Sequence, residues 1–212
     1  MSEQSYSSDV AFTPTVKAIQ ERKGSRDTYA NIEREGSWET RIVPQLAQFI
    51  QAQRSVFLGT ASAGGQPYIQ HRGGPPGFLH VLDEHTIGFA DFRGNRQYIT
   101  LGNLSENPKA ILFLIDYPAR RRVKIWGQAR VVEGDAELSE RLMPKSYRAR
   151  PEQVILFSVH AWDVNCQQHI PVRYEAADVA EAIDERDRRI AELEAEIQRL
   201  RALIDEPAPP AT

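Results

Sequence analysis

The chain has 212 residues, enough for one domain of ordinary size with extensions or for at most two small domains. Hydrophobic residues make up 41% of the sequence and charged residues 26%, which is typical of a globular protein with a substantial core. A net charge of −3 argues against a nucleic-acid-binding protein, because such proteins normally carry a basic excess.

The single cysteine, Cys166, excludes an intramolecular disulfide and is typical of a reducing compartment. The sequence contains no apolar run near the roughly 18 residues that a membrane-spanning helix needs. Its N-terminus, MSEQSYSSDV, has neither the basic start nor the apolar stretch of a signal peptide. We therefore expect a cytoplasmic protein with no membrane partner.

Residues 1–54 are polar and are predicted to form an N-terminal helical extension. Pro44 is compatible with the first turn of the last helix in this extension. That helix is marked by apolar residues at helical spacing, namely Ile42, Leu46, Phe49 and Ile50.

Residues 55–175 are predicted to be mainly β. The segments SVFLGTAS and PYIQHR indicate a hairpin, and FLHVLD, TIGFAD, KAILFLIDY, RRVKIWGQARVV and VILFSVHAWDV indicate further strands. Short helices are expected at QYITLGNL, which Asn107–Pro108 ends, and after Asp135, a candidate N-cap. About six or seven strands joined mostly by tight turns favour a closed antiparallel barrel over a parallel α/β sheet.

Residues 176–205 show a heptad repeat, with Ile at the a positions and Leu at two of the d positions. This pairing favours a parallel two-stranded coiled coil, although Arg186 occupies a d position and weakens the seam. Because three heptads are short, the alternative is an amphipathic helix packed on its own domain. Residues 206–212 are predicted to be a disordered tail. The repeat consists of Ile183, Ile190, Leu193, Ile197, Leu200 and Ile204.

Several common sites are missing from the sequence. Neither a G-x-x-x-x-G-K-[ST] loop nor a G-x-G-x-x-G loop is present. Cys166 and His169 have C-x-x-H spacing, which alone cannot complete a tetrahedral metal site, so no metal is predicted and Cys166 is interpreted as a buried structural residue. No serine stands on a strained elbow, which makes a hydrolase a weak alternative.

Three basic segments are candidates for ligand binding. In QHRGGPPGF, Arg72 ends a strand and the glycines let the backbone approach a ligand, the alternative being a mobile polar loop. In DFRGNRQ, Asn95 is predicted to cap the following helix. Cations at a helix N-terminus are unfavourable unless an anion joins them, and arginine forks suit phosphate, the alternative being two solvated arginines. In RRVKIWG, alternate residues of a strand could face the same site.

The region from Ser55 to about Asp163 resembles the FMN-binding split barrel of the pyridoxamine 5′-phosphate oxidase-like superfamily. The resemblance is carried by GQPYIQHRGGPPGFLHVLD, TIGFADFRGNRQYITLGNLSENPKAILFLID and RRVKIWGQARVV. It implies an α+β protein, mainly β, built on a six-stranded antiparallel split β-barrel. It also implies a homodimer with one FMN in each of two clefts at the subunit interface.

The resemblance implies roles for three groups of residues. The turn into the short helix would hold the flavin phosphate, the strand before the first glycine loop would line the ring, and the RRVKIWG strand would add polar contacts. Trp162 is interpreted either as a wall of the ring pocket or as a core residue. The implied cofactor-binding residues are Gln70, His71, Arg72, Asp91, Arg93, Asn95, Arg96, Gln97, Arg122, Lys124 and Trp162.

Two departures from the family pattern limit what the resemblance implies. Asn95-Arg96-Gln97 stands where the oxidases have Ser-Arg-Lys, so one phosphate cation must come from elsewhere, with Arg93 or Arg72 as candidates. The C-terminal Arg-x-His substrate motif is replaced by AWDVNCQQHIP. These departures argue against vitamin B6 oxidation.

The resulting hypothesis is an FMN-dependent oxidoreductase that acts on a small molecule, with NADH or NADPH as candidate donors and hydride transfer through the flavin N5. No catalytic acid or base is assigned, His71 and His169 being the candidates if one exists. The alternatives are a non-catalytic flavin carrier or sensor and a related split barrel that binds haem or a deazaflavin.

Overall fold

The computed structural model describes residues 5–145 and 147–204, and the chain divides into two compact units, Met1–Ile170 and Pro171–Thr212. The predicted disordered tail, residues 206–212, lies outside the described residues. The first unit begins with a 3-10 turn at Ser7–Val10. The helices are α1 Pro14–Lys23, α2 Arg26–Arg34, α3 Pro44–Ala52, α4 Ile99–Glu106, α5 Ala136–Leu142 and α6 Ala176–Ile204. The strands are β1 Ser55–Ala61, β2 Pro67–Gly73, β3 His80–Asp83, β4 Thr86–Phe92, β5 Lys109–Asp116, β6 Arg121–Val132 and β7 Pro151–Asn165.

All seven strands lie in one antiparallel sheet with the order β2-β1-β5-β6-β7-β4-β3. The predicted α+β class is therefore confirmed, but the sheet has seven strands rather than six and is not closed. Among the described residues, no backbone pairing joins the end strands β2 and β3. The sheet nevertheless curls, since Arg72 on β2 pairs with Asp91 on β4.

The core lies on the inner face of the sheet and is covered by α3. Leu46 and Ile50 of this helix are fully buried, as are Leu58 and Leu112 on the central strands β1 and β5. Pro44 takes the first helical position, where its missing N–H costs nothing. The helix predicted from the spacing around Leu46 is therefore confirmed.

Two tryptophans attach the N-terminal extension to the sheet. The ring of Trp38 stacks on Trp126 of β6 with centroids 4.7 Å apart. The indole N–H of Trp162 on β7 donates to the carbonyl oxygen of Arg41 at 2.9 Å. These contacts fix residues 38–41 against strands β6 and β7.

A charge cluster, which we call the N-terminal cluster, joins the first helices. The carboxylate of Glu33 is only 3% exposed and pairs with Arg26 and, at 3.2 Å, with Lys17. Lys17 also pairs with Asp9 at 2.6 Å. Each of these four charges has an opposite partner, so the cluster serves to hold the extension together.

The second unit contains α6, which spans the predicted heptad region. Cys166, at the end of the first unit, is exposed, and the expectation of a buried cysteine is wrong. It follows directly after β7, where the chain has left the sheet. Within the described part of the chain, no helix is both long and apolar enough to cross a membrane.

Candidate functional site at the open side of the sheet

A cavity of about 320 Å³ lies where β2 approaches the end of β4. Its walls come from β2, from the end of β4, from the turn and first residues of α4, and from the start of β7. The structure thus gathers four segments that are far apart in the sequence. Seven of the residues predicted to bind a cofactor line it: Gln70, His71, Arg72, Asp91, Asn95, Arg96 and Gln97.

Four residues of the predicted set do not line this cavity. Arg122 and Lys124 lie on β6, three strands from β2, which is about 14 Å at the usual spacing between strands. Arg93 is exposed in the turn, and its backbone N–H donates to the carbonyl of Arg150 at 2.9 Å. Trp162 packs against the core and ties down the N-terminal extension. One chain alone therefore does not bring the whole predicted set together.

Arg72 is fixed by a buried carboxylate. Its Nε donates to Oδ1 of Asp91, and its Nη2 lies 3.5 Å from Oδ2 of the same residue. Asp91 is 4% exposed, and its Oδ2 also accepts a hydrogen bond from Nε2 of Gln153 at 2.8 Å. Asp91 therefore positions the Arg72 guanidinium at the cavity wall. No sequence pattern pointed to Gln153, because it lies opposite Asp91 only through the register of β4 and β7.

The helix α4 begins without a side-chain cap, which corrects the prediction for Asn95. The helix starts at Ile99, and its N-cap residue is Tyr98, in a left-handed conformation with φ 55°. Asn95 instead accepts a hydrogen bond from the Gln97 backbone N–H at 3.3 Å, two residues on, as asparagine side chains do in turns. Since the first turn of a helix has N–H groups without helical partners, this end of α4 can accept an anion.

A second arginine stands at the same turn. Nε of Arg96 donates to the hydroxyl of Tyr98 at 2.9 Å, and that hydroxyl donates to Glu152 on β7 at 2.7 Å. The hydrogen bond to Tyr98 raises the pKa of Arg96, a side chain that is cationic at neutral pH. Arg96 also has positive φ, at 60°. Tyr98 and Glu152 were not predicted as site residues, and Tyr98 was placed inside the short helix, whereas it precedes that helix and is exposed.

The alternation of side chains along β2 divides the predicted ring-binding residues between two faces. Gln70 and Arg72 share the face of Leu58, which is the inner face, whereas His71 lies opposite Phe57 on the outer face. The His71 and Phe57 rings are 5.6 Å apart. His71 thus stands at the border between the cavity and the outer face of the sheet.

The outer face around His71 is largely apolar. Strands β1, β2, β5 and β6 present there Phe57, Ile69, Ile111, Phe113 and Trp126. Ile69 on the end strand is 67% exposed. A second cavity of about 820 Å³ lies on this face beside the N-terminal extension. We call these five residues and the adjoining His71 the outer face.

The cavity contains several groups that can donate hydrogen bonds to an anion. In the described part of the chain, no group of three His, Cys, Asp or Glu residues could hold a metal ion. The cavity instead combines two guanidinium groups, from Arg72 and Arg96, with an uncapped helix start. Each of these features can bind a phosphate group, and the carboxylates of Asp91 and Glu152, which line the same cavity, balance part of the positive charge.

The solved structures that resemble the chain are distant. HupZ of Group A Streptococcus is 18% identical, with 62% of this chain and 99% of HupZ covered and a TM-score of 0.46. An FMN-binding protein from Syntrophomonas wolfei is 15% identical, with 69% and 97% covered and a TM-score of 0.44. HutZ, the haem storage protein of Vibrio cholerae, is 17% identical, with 58% and 94% covered and a TM-score of 0.43. No curated protein matches the sequence significantly.

The family model provides the stronger comparison. The model of the pyridoxamine 5′-phosphate oxidase family matches residues 42–166, which is more than half of the chain. The matched region runs from the start of α3 to the end of β7 and so contains the whole sheet and every segment that lines the smaller cavity. The chain therefore belongs to the pyridoxamine 5′-phosphate oxidase-like superfamily.

Proposed function

We propose that this protein is an FMN-dependent oxidoreductase that holds the flavin phosphate at the start of α4. The observation that supports this proposal most directly is the uncapped N-terminus of α4, which lines a cavity together with Arg72 and Arg96. An uncapped helix end between two cations is unfavourable by itself and becomes favourable when a phosphate binds. The volume of about 320 Å³ is at the lower end for ligand pockets, as expected if a second chain completes the site.

When bound, FMN supplies hydride transfer through its N5, and the protein supplies binding, orientation and electrostatics. Arg72 is suited to binding and orienting FMN because Asp91 fixes the position of its guanidinium group and neutralises part of its charge. Arg96 is oriented by Tyr98, which Glu152 holds in turn. Both cations are therefore in place before the ligand arrives, which lowers the entropy cost of binding. No residue is assigned as acid or base.

We propose further that the outer face joins two copies of the chain and places each cavity at the subunit interface. An exposed isoleucine on an end strand beside half-buried phenylalanines is unfavourable in water. Because His71 belongs to both the outer face and the cavity wall, a chain packed on this face also borders the cavity. Arg122 and Lys124, on the same side of β6, would then serve the cavity of the second copy.

The absorption spectrum of the purified protein is the first test. A flavin spectrum supports the proposal, whereas a Soret band would assign the site to haem and contradict it. Reduction by NADH or NADPH under anaerobic conditions, followed by turnover of oxidised acceptors, separates an oxidoreductase from a flavin carrier. Reduction without turnover of any acceptor would favour the carrier.

Arg96→Ala tests the phosphate assignment. We expect FMN affinity, measured by fluorescence quenching, to fall on the order of 10- to 100-fold, because a charge-assisted hydrogen bond is lost. Arg130→Ala is the matched control, since Arg130 is an exposed arginine on β6 that does not line the cavity. Equal affinities of the two variants would place the phosphate elsewhere.

Ile69→Glu tests the outer face. The substitution puts a charge on the exposed side of β2 and leaves the core untouched. We expect FMN to bind more weakly, because a weakened contact at this face also opens the cavity that borders it. A variant that binds flavin like the parent protein would show that the outer face is not the subunit interface.

A further inference from the structure

The helix α6 carries an exposed apolar stripe from Val179 to Leu200. Six apolar side chains at its a and d positions are each 42–48% exposed. They are Val179, Ile183, Ile190, Leu193, Ile197 and Leu200. Isoleucine at a with leucine at d is the combination that favours two parallel strands, and this preference comes from side-chain packing rather than from charge.

We propose that α6 forms a parallel, in-register, two-stranded coiled coil with α6 of a second copy of this chain. The charged residues that flank the stripe favour a second copy of α6 in parallel orientation as the partner. In a parallel pair each g residue faces the e residue five positions later on the other helix. Arg189 then faces Glu194, and Glu196 faces Arg201. By symmetry both contacts occur twice, so all four contacts between charged flanking residues are attractive.

Other arrangements of the same two helices bring like charges together. Sliding one helix by a heptad sets Arg189 against Arg201. In an antiparallel pair with the stripes fully overlapped, Arg189 of one helix still lies near Glu196 of the other. In that pair, however, Asp187 lies near Glu194, and these two charges repel each other. The sequence thus disfavours both the shifted and the antiparallel pair, which is how coiled coils fix partner and orientation.

Arg186 fits this arrangement as a polar residue at one d position. It pairs with Asp187 on its own helix at 2.9 Å and so brings a counter-charge into the seam. A single polar residue in a seam reduces stability but helps to specify register. The proposal does not depend on the flavin, because it concerns only the helix.

Disulfide trapping in the full chain tests orientation directly. Cys166→Ser removes the one native cysteine, which is exposed, and Leu200→Cys then places a thiol at a d position. In a parallel, in-register pair the two thiols are adjacent, and a disulfide needs Cα atoms within about 7 Å. We expect most of the protein to migrate as a covalent dimer on a non-reducing gel after mild oxidation. Arg188→Cys, at the outward f position, is the matched control and should remain monomeric on the gel.

Charge reversal tests the flanking pairs. In the Leu200→Cys background, Glu194→Arg should lower the rate of cross-linking several-fold, and adding Arg189→Glu should restore it. The proposal is overturned if Leu200→Cys chains do not cross-link. It is equally overturned if cross-linking requires a mixture of Ile183→Cys and Leu200→Cys chains, which would indicate an antiparallel pair. If the Leu200→Cys chains cross-link in a protein that binds no flavin, the coiled coil is supported and only the flavin assignment fails.

Discussion

The buried pair of Arg72 and Asp91 allows a sharp test of how the open side of the sheet is held. Asp91→Ala removes the carboxylate and leaves the Arg72 guanidinium, whose side chain is only 16% exposed, without its partner. It also leaves the Gln153 side-chain amide without its acceptor. Removing one member of a buried ion pair costs about 3–5 kcal/mol. For a chain of this size that corresponds to a decrease in melting temperature of roughly 6–20 °C.

Urea unfolding of the flavin-free protein measures this cost. Tryptophan fluorescence reports on the right unit, because Trp38, Trp126 and Trp162 all lie within Met1–Ile170. The matched control is the double variant Arg72→Met/Asp91→Leu, which removes both charges. It should be destabilised much less than Asp91→Ala, because no uncompensated charge remains buried. A loss below about 1 kcal/mol for Asp91→Ala, or an equal loss for the double variant, would refute an ion pair that spans the opening.

Two further predictions concern the N-terminal cluster and the glycine at the bulge of β6. Burial acts to raise the pKa of Asp9, but hydrogen bonds from Lys17 and from the Tyr6 N–H outweigh it and hold the pKa below its ordinary value. The stability that Asp9 contributes is therefore present above its unfolded-state pKa and is lost as the pH falls through the lower folded-state value. The melting temperature should therefore fall below pH 4, and it should fall less steeply in Lys17→Met. An equally steep fall in that variant would contradict the role of the Asp9–Lys17 pair. A Cβ at Gly127 would lie 1.9 Å from the carbonyl oxygen of Ser158, so Gly127→Ala should destabilise the protein by about 1–3 kcal/mol or more. Gly102→Ala, in open space within α4, should instead stabilise it by about 0.5–1 kcal/mol, and similar effects of both substitutions in urea unfolding would contradict the bulge geometry.

The elements with strong local signals were predictable from the sequence. The periodicity around Leu46 and the heptads of α6 gave helices at the expected places. Asp135 caps α5 as expected, since its side chain accepts from the Leu138 N–H at 2.9 Å. Asn107 ends α4 because proline follows it. Local patterns do not reveal how far a sheet curls or whether its end strands pair. The prediction of a closed barrel therefore failed although the individual strands were found.

The site was predictable in composition but not in geometry. The residue types around the turn pointed to phosphate, and most of them line one cavity. The cap was assigned wrongly, because Asn95 satisfies its own turn and Tyr98 takes the left-handed position before the helix. The contact between Gln153 and Asp91 could not be predicted from the sequence, since it depends on the register between β4 and β7. Consecutive residues on β2 were grouped together although a strand turns them to opposite faces.

The N-terminal cluster and the cavity contain similar residues but differ in one physical respect. In the cluster, Glu33 is buried between Arg26 and Lys17, and every charge has a partner within the chain. At the cavity, the start of α4 has no side-chain cap, and Arg96 and Tyr98 both adopt left-handed backbone conformations. Folding gains nothing from an uncapped helix end or from strained non-glycine residues. Under the proposed function, a phosphate bound at this helix end would offset that cost, because the N–H groups of the first turn would donate to it.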